Sequence, residues 1–356
     1  MKTTIPAAPI KERMSKMTNS KWYKESGPCG DTVISTRVRL ARNLDSYPFP
    51  CRISEKQQME INQKVKDILL SDGTFNFRYI DMSELSDIEA MAMTEKRLVS
   101  PDFIKDRTAK ALIISDDETI SIMLGEEDHI RIQVMRPGFD LDECYKIADK
   151  VDRILDAHLN YAFDEKLGFL TECPTNLGTG LRASVMMHLP AIQSAGLLNQ
   201  IMTTIAKIGL TIRGTYGEGS SPLGAMYQIS NQVTLDISEE SAINNLKSIA
   251  TQIMEQERSY RRTLIKNPTV EDRIFRSLGT LKYARIMDTK ESIGLLSDVR
   301  LGIACGLIND ISLDTLNALC IDTQPANLTV MTEAASTQER DNKRTDIIRK
   351  ALSINK

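Results

Sequence analysis

Three short stretches combine residue types that hold phosphate and move protons. Cys173-Pro174-Thr175-Asn176-Leu177-Gly178-Thr179-Gly180-Leu181-Arg182 puts a thiol, a proline, two glycines and an arginine into one turn-rich run. The Thr175 hydroxyl is placed to stabilise a thiolate on Cys173, and Gly178 and Gly180 let the backbone come close to a ligand. Gly125-Glu126-Glu127-Asp128-His129 sets three acids in a row, whose repulsion a bound cation would relieve. Arg213-Gly214-Thr215-Tyr216-Gly217-Glu218-Gly219 closes a strand in a glycine-rich loop around a lone glutamate. With Arg37, Arg39 and Arg131 from strand-like runs, the chain has five arginines (Arg37, Arg39, Arg131, Arg182, Arg213) in turn or strand contexts. Phosphoryl transfer asks a protein to hold the triphosphate, neutralise its developing charge and align the nucleophile, and planar arginine forks match phosphate oxygens. Each stretch also has a plainer reading. A cysteine beside proline is often a small buried hydrophobe, a charged hairpin tip a solvated turn, and a pair of strand arginines the decoration of an exposed sheet face.

The order of the strings gives them more weight than each has alone. Cys173 to Ser184 resembles the signature loop of the phosphagen (guanidino) kinases, in the version of their bacterial protein-modifying branch. Ser35-Thr36-Arg37-Val38-Arg39 resembles that family's first ATP-phosphate clamp. Glu126-Glu127-Asp128-His129-Ile130-Arg131 resembles the string whose second glutamate holds the substrate guanidinium and whose arginine holds ATP. The 213–218 run resembles the substrate loop, with Arg213 on phosphate and Glu218 as second carboxylate. The resemblance spans roughly Trp22 to Lys350. It implies Glu127, Glu218 and Cys173 as catalytic groups. It implies ATP contacts from Ser35, Thr36, Arg37, Val38, Arg39, Arg97, Arg131, Arg182, Ala183, Ser184, Val185, Met186, Arg213, Gly214, Thr215, Tyr216, Gly217 and Glu218, with Mg2+ carried by the nucleotide and no metal held by side chains. Family members commonly carry a histidine where Arg97 stands.

A guanidinium with a pKa above about 12 must be relieved of a proton as it attacks, so two carboxylates and a thiolate around it suit an arginine acceptor better than a hydroxyl. Small-guanidine members of the family carry a helical lobe before the Arg37 strand, whereas 32 residues precede Val33 here. That opening implies protein substrates with accessible arginine. The alternatives are a kinase for free arginine or a related small guanidine, and a non-catalytic adaptor that binds phosphoarginine. The resemblance further implies a stress-response role in which phosphoarginine marks proteins for a Clp protease and inactivates the CtsR repressor, with an McsA-like activator and a homodimer or higher oligomer. Near the C-terminal end, Arg340 and Arg344 lie four apart and Asp341 lies between them. The spacing resembles an Arg-Asp-x-x-Arg-Ala motif by which the protein-modifying branch binds phosphoarginine allosterically, with Thr345 in place of the alanine.

Hydrophobic periodicity supplies the elements that must position these groups. The β-rich run Val33 to Arg42 reads as a strand with Arg37 and Arg39 on one face and Val38 and Leu40 on the other. Alternation predicts a hairpin over 119–135, a half-buried strand from Ala183 to Leu189, and another strand over 226–235. Helices are predicted over 55–70, 83–98, 140–161 and from the Ser238 cap onward, where Ile243, Leu246, Ile249 and Ile253 form a stripe. A short strand is expected at 75–80. After Pro268 no strand pattern survives, and amphipathic helices take over near 270–287, 290–307, 313–319 and 338–354. The expected organisation is a flexible N-terminus over 1–21, an α+β catalytic domain over 22–267 and an all-helical domain over 268–356. From the resemblance, the catalytic domain is an antiparallel sheet flanked by helices.

Composition narrows the class. With 356 residues and 41% hydrophobic residues the chain can build a sizeable core, and a net charge of -3 gives no overall basic character for nucleic acid or a membrane surface. Six scattered cysteines and three histidines suggest neither a disulfide framework nor a zinc site. No run approaches a membrane span or an export signal, so a cytoplasmic location is expected.

Overall fold

A computed structural model describes residues 21–214 and 223–353; the 1–20 part of the expected flexible N-terminus lies outside them, as do Thr215, Tyr216, Gly217 and Glu218. The strands, in chain order, are β1 (Val33–Arg42), β2 (Phe77–Asp81), β3 (Ala111–Ser115), β4 (Ile120–Leu124), β5 (Ile130–Pro137), the small pair β6 (Phe163–Asp164) and β7 (Gly168–Phe169), then β8 (Leu181–His188), β9 (Leu210–Gly214) and β10 (Met226–Asn231). The helices are α1 (Glu55–Asp72), α2 (Asp87–Glu95), α3 (Leu141–Asp156), α4 (Pro190–Ser194), α5 (Leu198–Ala206), α6 (Glu239–Leu264), α7 (Pro268–Tyr283), α8 (Thr289–Ala304), α9 (Leu313–Asp322), α10 (Pro325–Thr332) and α11 (Thr337–Leu352).

Eight strands form one antiparallel sheet in the order β2-β3-β4-β5-β1-β8-β10-β9. The alternation in the sequence fixes its two faces. Ile113, Ile122, Ile132, Leu40 and Leu181 are successive cross-strand partners, as are Val134, Val38 and Ala183, and all are buried. This face packs on α3 and α6, whose Cys144, Ala148, Val151 and Leu246, Ala250, Ile253 belong to the same core. Long helices can lie there because their ends are capped: Ser238 accepts from the Ser241 N–H at the start of α6, and Ser54 forms a capping box with Gln57 at α1.

The opposite face is polar at its centre. At one end, residues from Met82 to Phe103 cover Leu112, Ile114 and Met123 with a small apolar cluster. At the other, His188 on β8 donates to or accepts from Ser297 on α8, so the helices after Pro268 reach the sheet itself. β8 is therefore buried on both faces rather than half-buried, since α6 lies on one side and the polar face is recessed on the other. The helices α7 to α11 have their own core around Ile274, Leu296, Val299, Leu316 and Ile348. No helix among the described residues is long and apolar enough to cross a membrane.

Among the elements without a clear signature in the sequence, two matter for the site and its seam. β3 is a wholly buried apolar run without alternation, and α10 begins at Pro325 with no capping side chain on its own Gln324.

Candidate active site

Period-two geometry delivers the arginines to one surface. Arg39 pairs with Arg182 on β8 and Gln133 on β5; Arg37 pairs with Ser184 and Met135; Ala41 pairs with Arg131; and Gln228 pairs with both Met186 and Arg213. Arg37, Arg39, Arg131, Arg182 and Arg213 thus share the polar face of the sheet, with Ser35, Ser184 and Met186 among them. Arg37 and Arg182 have neutral partners, whereas Arg131 is paired with Glu126 and Glu127. Arg37 donates to Ser184 Oγ (3.3 Å) and Gln228 Oε1 (2.9 Å), and Arg182 to Asn176 Oδ1 (3.2 Å), Thr175 Oγ1 (2.9 Å) and backbone carbonyls. Arg39 Nε is buried with no hydrogen-bond partner.

Concentrated positive charge shows in the titration of these groups. Burial, then the neighbouring Arg97 and Arg131, pushes the Arg37 guanidinium down to about 10. Burial, then Arg37 and Arg131, pushes Arg39 well below its ordinary value. Burial lowers Arg182 too, against the pull of Cys173 and Glu127. Arg97 stands within reach of this cluster, its backbone at φ 62°, its carbonyl accepting from Gln133 Nε2 at 2.8 Å. Guanidinium groups gathered in this way on neutral partners have the chemistry to receive a polyanion.

The acidic tip does not need a cation, because the protein separates its three carboxylates. Glu126 pairs with Arg131 and accepts from Ser100 Oγ. Asp128 is buried and accepts from Asn43 Nδ2 at 2.6 Å and from the Glu172 N–H at 2.9 Å; burial still raises its pKa. Glu127 alone stays accessible, its side chain 42% exposed, with loose contacts of 3.5 Å to Arg131 and to Asn176 Nδ2. Of the three, it is the carboxylate with room to meet a ligand.

The thiol loop is bound to the same network. Cys173 precedes a 3-10 turn, Pro174–Asn176, and its Sγ lies 3.1 Å from Thr175 Oγ1. Thr175 and Asn176 both accept from Arg182, and Asn176 reaches Glu127, so the thiol, the acid and the sheet-face arginine are joined through two side chains. Asp128 ties this loop to the hairpin, through Glu172 next to Cys173.

Several expected contacts lie elsewhere. Thr36, Val38, Ala183 and Val185 are on the apolar face and buried, and Thr36 Oγ1 donates to Gly138 O at 2.7 Å, so their side chains point away from the arginines. The close approach that Gly178 permits is internal: at φ 107° a Cβ there would sit 2.2 Å from Thr234 O. Gly214 ends β9 at the edge of the described residues. The open two-fork clamp expected at Arg340 and Arg344 is not preformed, because Arg344 is 1% exposed and turned inward. It donates to Thr323 O (3.0 Å), Met287 O (2.7 Å), Thr289 Oγ1 (2.8 Å) and Asp341 Oδ1 (2.5 Å), which leaves no bidentate edge for phosphate. Arg340 is the reachable member, bonded to Ala335 O and Thr337 Oγ1. Sequence reasoning passed over Gln133, Asn176, Gln228 and Ser100, which hold the arginines and the acids in place. For Gln133 the signal was its parity with Arg131 on β5; the others had none.

Arginines gathered on one sheet face, with an accessible carboxylate and a thiol at its rim, agree with the class to which comparison with known proteins assigns the catalytic half, the guanidino phosphotransferases, which are kinases. The family described as ATP:guanido phosphotransferase, C-terminal catalytic domain, matches residues 60–260. Among solved structures, the duplicated taurocyamine kinase from Schistosoma mansoni with bound transition state analog components is similar with a TM-score of 0.58 and 26% identity over 70% of this chain and 38% of that one. Lombricine kinase shares the fold with a TM-score of 0.57 at 21% identity, over 69% of this chain and 70% of its own. The remaining residues narrow the class: 267–356 match the family described as Protein-arginine kinase McsB C-terminal domain. The protein-arginine kinase of Brevibacillus brevis is 45% identical over 341 residues, 94% of this chain and 96% of that protein. That of Clostridium acetobutylicum is 43% identical over 336 residues, 93% and 99% of the two chains. The chain belongs to the protein-arginine kinase family.

Proposed function

We propose that this protein transfers the γ-phosphoryl group of ATP to arginine side chains of other proteins, giving ADP and N-phosphoarginine. The observation that carries this is the arrangement on the polar sheet face, where five arginines gather, Arg37 and Arg182 on neutral partners, beside one accessible carboxylate, Glu127. Arg37, Arg39, Arg131, Arg182 and Arg213 hold the triphosphate and neutralise charge as it moves to the leaving oxygen. Mg2+ carried by the nucleotide would offset part of the phosphate charge, with no side chain assigned to hold it. Glu127 and Glu218 orient the acceptor guanidinium. As its nitrogen bonds to phosphorus and the bond to ADP breaks, one carboxylate takes the proton the nitrogen loses. Cys173 lies on the same rim and contributes negative charge beside the guanidinium when ionised. Serine and backbone carbonyls around Arg37 and Arg182 keep the forks oriented before nucleotide arrives, which favours alignment over induced rearrangement.

The test is a casein-like protein incubated with the enzyme and ATP and weighed intact, beside an equal reaction offering free arginine. A phosphate increment on the protein that disappears in acid is the expected result. Turnover of free arginine alone would instead mark a small-guanidine kinase, and ATP left unconsumed in both reactions would mark an adaptor. On this reading the product is a mark for a Clp protease and a means of inactivating the CtsR repressor in the stressed cytoplasm, an McsA-like protein is the activator, and the helices after Pro268 serve an oligomer. Phosphoarginine acting back on the enzyme near Arg340, Asp341 and Arg344 belongs to the same reading.

A further inference from the structure

We propose that Glu95 is a positioning residue through which the C-terminal helices set the backbone of Arg97, and with it nucleotide affinity; this rests on the reading of the arginine face as the ATP site. Glu95 ends α2, and its carboxylate crosses to the far end of the chain. Oε1 accepts from the Ala326 N–H (2.9 Å), and Oε2 accepts from the Asn327 N–H (2.8 Å) and Asn327 Nδ2 (3.0 Å). These are the first-turn amides of α10, whose own N-cap residue, Gln324, offers no side-chain bond. An anionic acceptor at that end satisfies orphan donors and complements the helix dipole. Burial raises the Glu95 pKa, while these bonds and the nearby Arg344 oppose it.

Two residues further on, Arg97 adopts φ 62°, a left-handed conformation that costs an arginine free energy a glycine would not lose. Such a conformation persists only where its surroundings hold it from both sides. On the downstream side Gln133 Nε2, from the polar sheet face, binds the Arg97 carbonyl at 2.8 Å and reaches the Leu98 carbonyl at 3.4 Å. Ser100 then donates to Glu126, which pairs with Arg131. On the upstream side the anchor is the Glu95 cap on α10. The segment 95–100 is thereby strung between the C-terminal helices and the acidic tip, with Arg97 in the middle and its charge acting on Arg37.

A double-mutant cycle read by calorimetric titration with ADP tests this. Glu95→Ala and Arg97→Ala should each weaken ADP binding by about five- to tenfold, and the double variant should be no weaker than Arg97→Ala alone, because Glu95 acts through Arg97. Glu95→Gln keeps one acceptor oxygen and should fall between wild type and Glu95→Ala; it carries the comparison if the alanine variant does not fold, which melting curves on each protein will show. Wild type that fails to bind ADP would remove the underlying reading of the site. Wild type that binds, with Arg97→Ala weakened and both Glu95 variants unchanged, would overturn the positioning role while leaving the site intact. An additive double variant, or an Arg97→Ala variant of full affinity, would overturn it as well.

Discussion

Two sets of arginines in this molecule are both recessed, and they differ in who supplies the counter-charge. In the first set, Arg42 is held by Asp152 and Glu239, Arg261 by Glu257 and Asp31, and Arg344 by Asp341; other donors go to backbone carbonyls and, from Arg344, to Thr289 Oγ1, and all three are nearly inaccessible. Arg42 also lies over the Phe169 ring, 3.6 Å from its centroid. In the second set, Arg37 and Arg182 meet serine, threonine, asparagine, glutamine and carbonyl oxygens, and Arg39 Nε meets nothing. A buried charge with its own carboxylate is part of the fold. Neutral partners alone do not mark an anion site, since Arg300 is buried on Asn317 Oδ1 and Gly30 O; what sets Arg37 and Arg39 apart is that they lie side by side on the polar sheet face, where burial and neighbouring guanidinium groups hold both below their ordinary value.

The largest effect expected from this contrast is on stability. Arg344→Leu removes the fork from three backbone or hydroxyl oxygens and leaves Asp341 part-buried without its partner, which should cost about 3–5 kcal/mol. Chemical denaturation would show it as a midpoint shift, and a loss below about 1 kcal/mol would place Arg344 in the functional set instead. Arg37→Ala is the mirror experiment: its melting temperature should hold or rise, since the cluster loses a repelling charge, while turnover falls.

Catalytic losses come next. Glu127→Gln and Glu218→Gln should each lower protein phosphorylation by about 10²-fold or more, the scale of a positioned acid–base group, with nucleotide binding largely kept. Glu126→Gln, by contrast, should act mainly on nucleotide affinity, because Glu126 is engaged with Arg131 and Ser100. Cys173→Ala should keep the fold and lose most activity. Equal losses from Glu126→Gln and Glu127→Gln with unchanged nucleotide affinity would erase the division of labour at the hairpin tip.

Parity explains how much of this was legible in the sequence. Within one strand, Arg37 and Arg39 alternate with Val38 and Leu40, and the same count sends Arg42 to the apolar side, where it meets Asp152 on α3. The strand pattern thus separates the arginines proposed to hold phosphate from a structural one over a span of six residues. Helical spacing did not do the same for Arg340 and Arg344, because it says nothing of what each turn packs against: Arg344 meets the interior formed by Met287, Thr289 and Thr323, while Arg340, one turn earlier, stays at the accessible helix start. The partners of Asp128 and Glu95 are 85 and 232 residues away, too far for any local pattern to register. β3 stayed hidden because a strand buried on both sides shows no alternation.

A smaller effect concerns pH at the seam between the sheet and the C-terminal helices. His188 is buried against Ser297, and burial, then Arg261 and Arg300, holds its imidazole far below the ordinary value near 6.5. The folded protein keeps it neutral while the unfolded chain takes up a proton, so its contribution to stability is full above about pH 6.5 and falls below it, by at most about 1.4 kcal/mol per pH unit. Asp128 and Asp322, whose pKa values burial raises, act in the opposite sense. The comparison to make is therefore between wild type and His188→Gln: the variant should lose less stability from pH 7.5 to 5.5. Parallel curves would mean that the seam opens before His188 titrates.

The smallest effect is expected at Arg340, and it bears most directly on where the two sets divide. Its donors reach Ala335 O and Thr337 Oγ1 on an exposed helix start, with no carboxylate among the bonds, so Arg340→Ala should shift stability by no more than about 0.5 kcal/mol. By its missing counter-charge Arg340 belongs with the sheet-face arginines, and by its place in the chain it belongs with Arg344. If phosphoarginine is recognised on this helix, Arg340 supplies the fork already in reach, and its loss should weaken calorimetric binding by about fivefold, roughly 1 kcal/mol, with ATP turnover in the absence of phosphoarginine unchanged. Unchanged affinity would remove Arg340 from any such site. Complete loss would carry the opposite message: so large an effect from one exposed guanidinium requires a second, and Arg344 would have to give up Met287, Thr289 and Thr323 to provide it. Faster hydrogen exchange across α8 and α11 on adding phosphoarginine would then accompany binding, and its absence would hold Arg344 in the structural set.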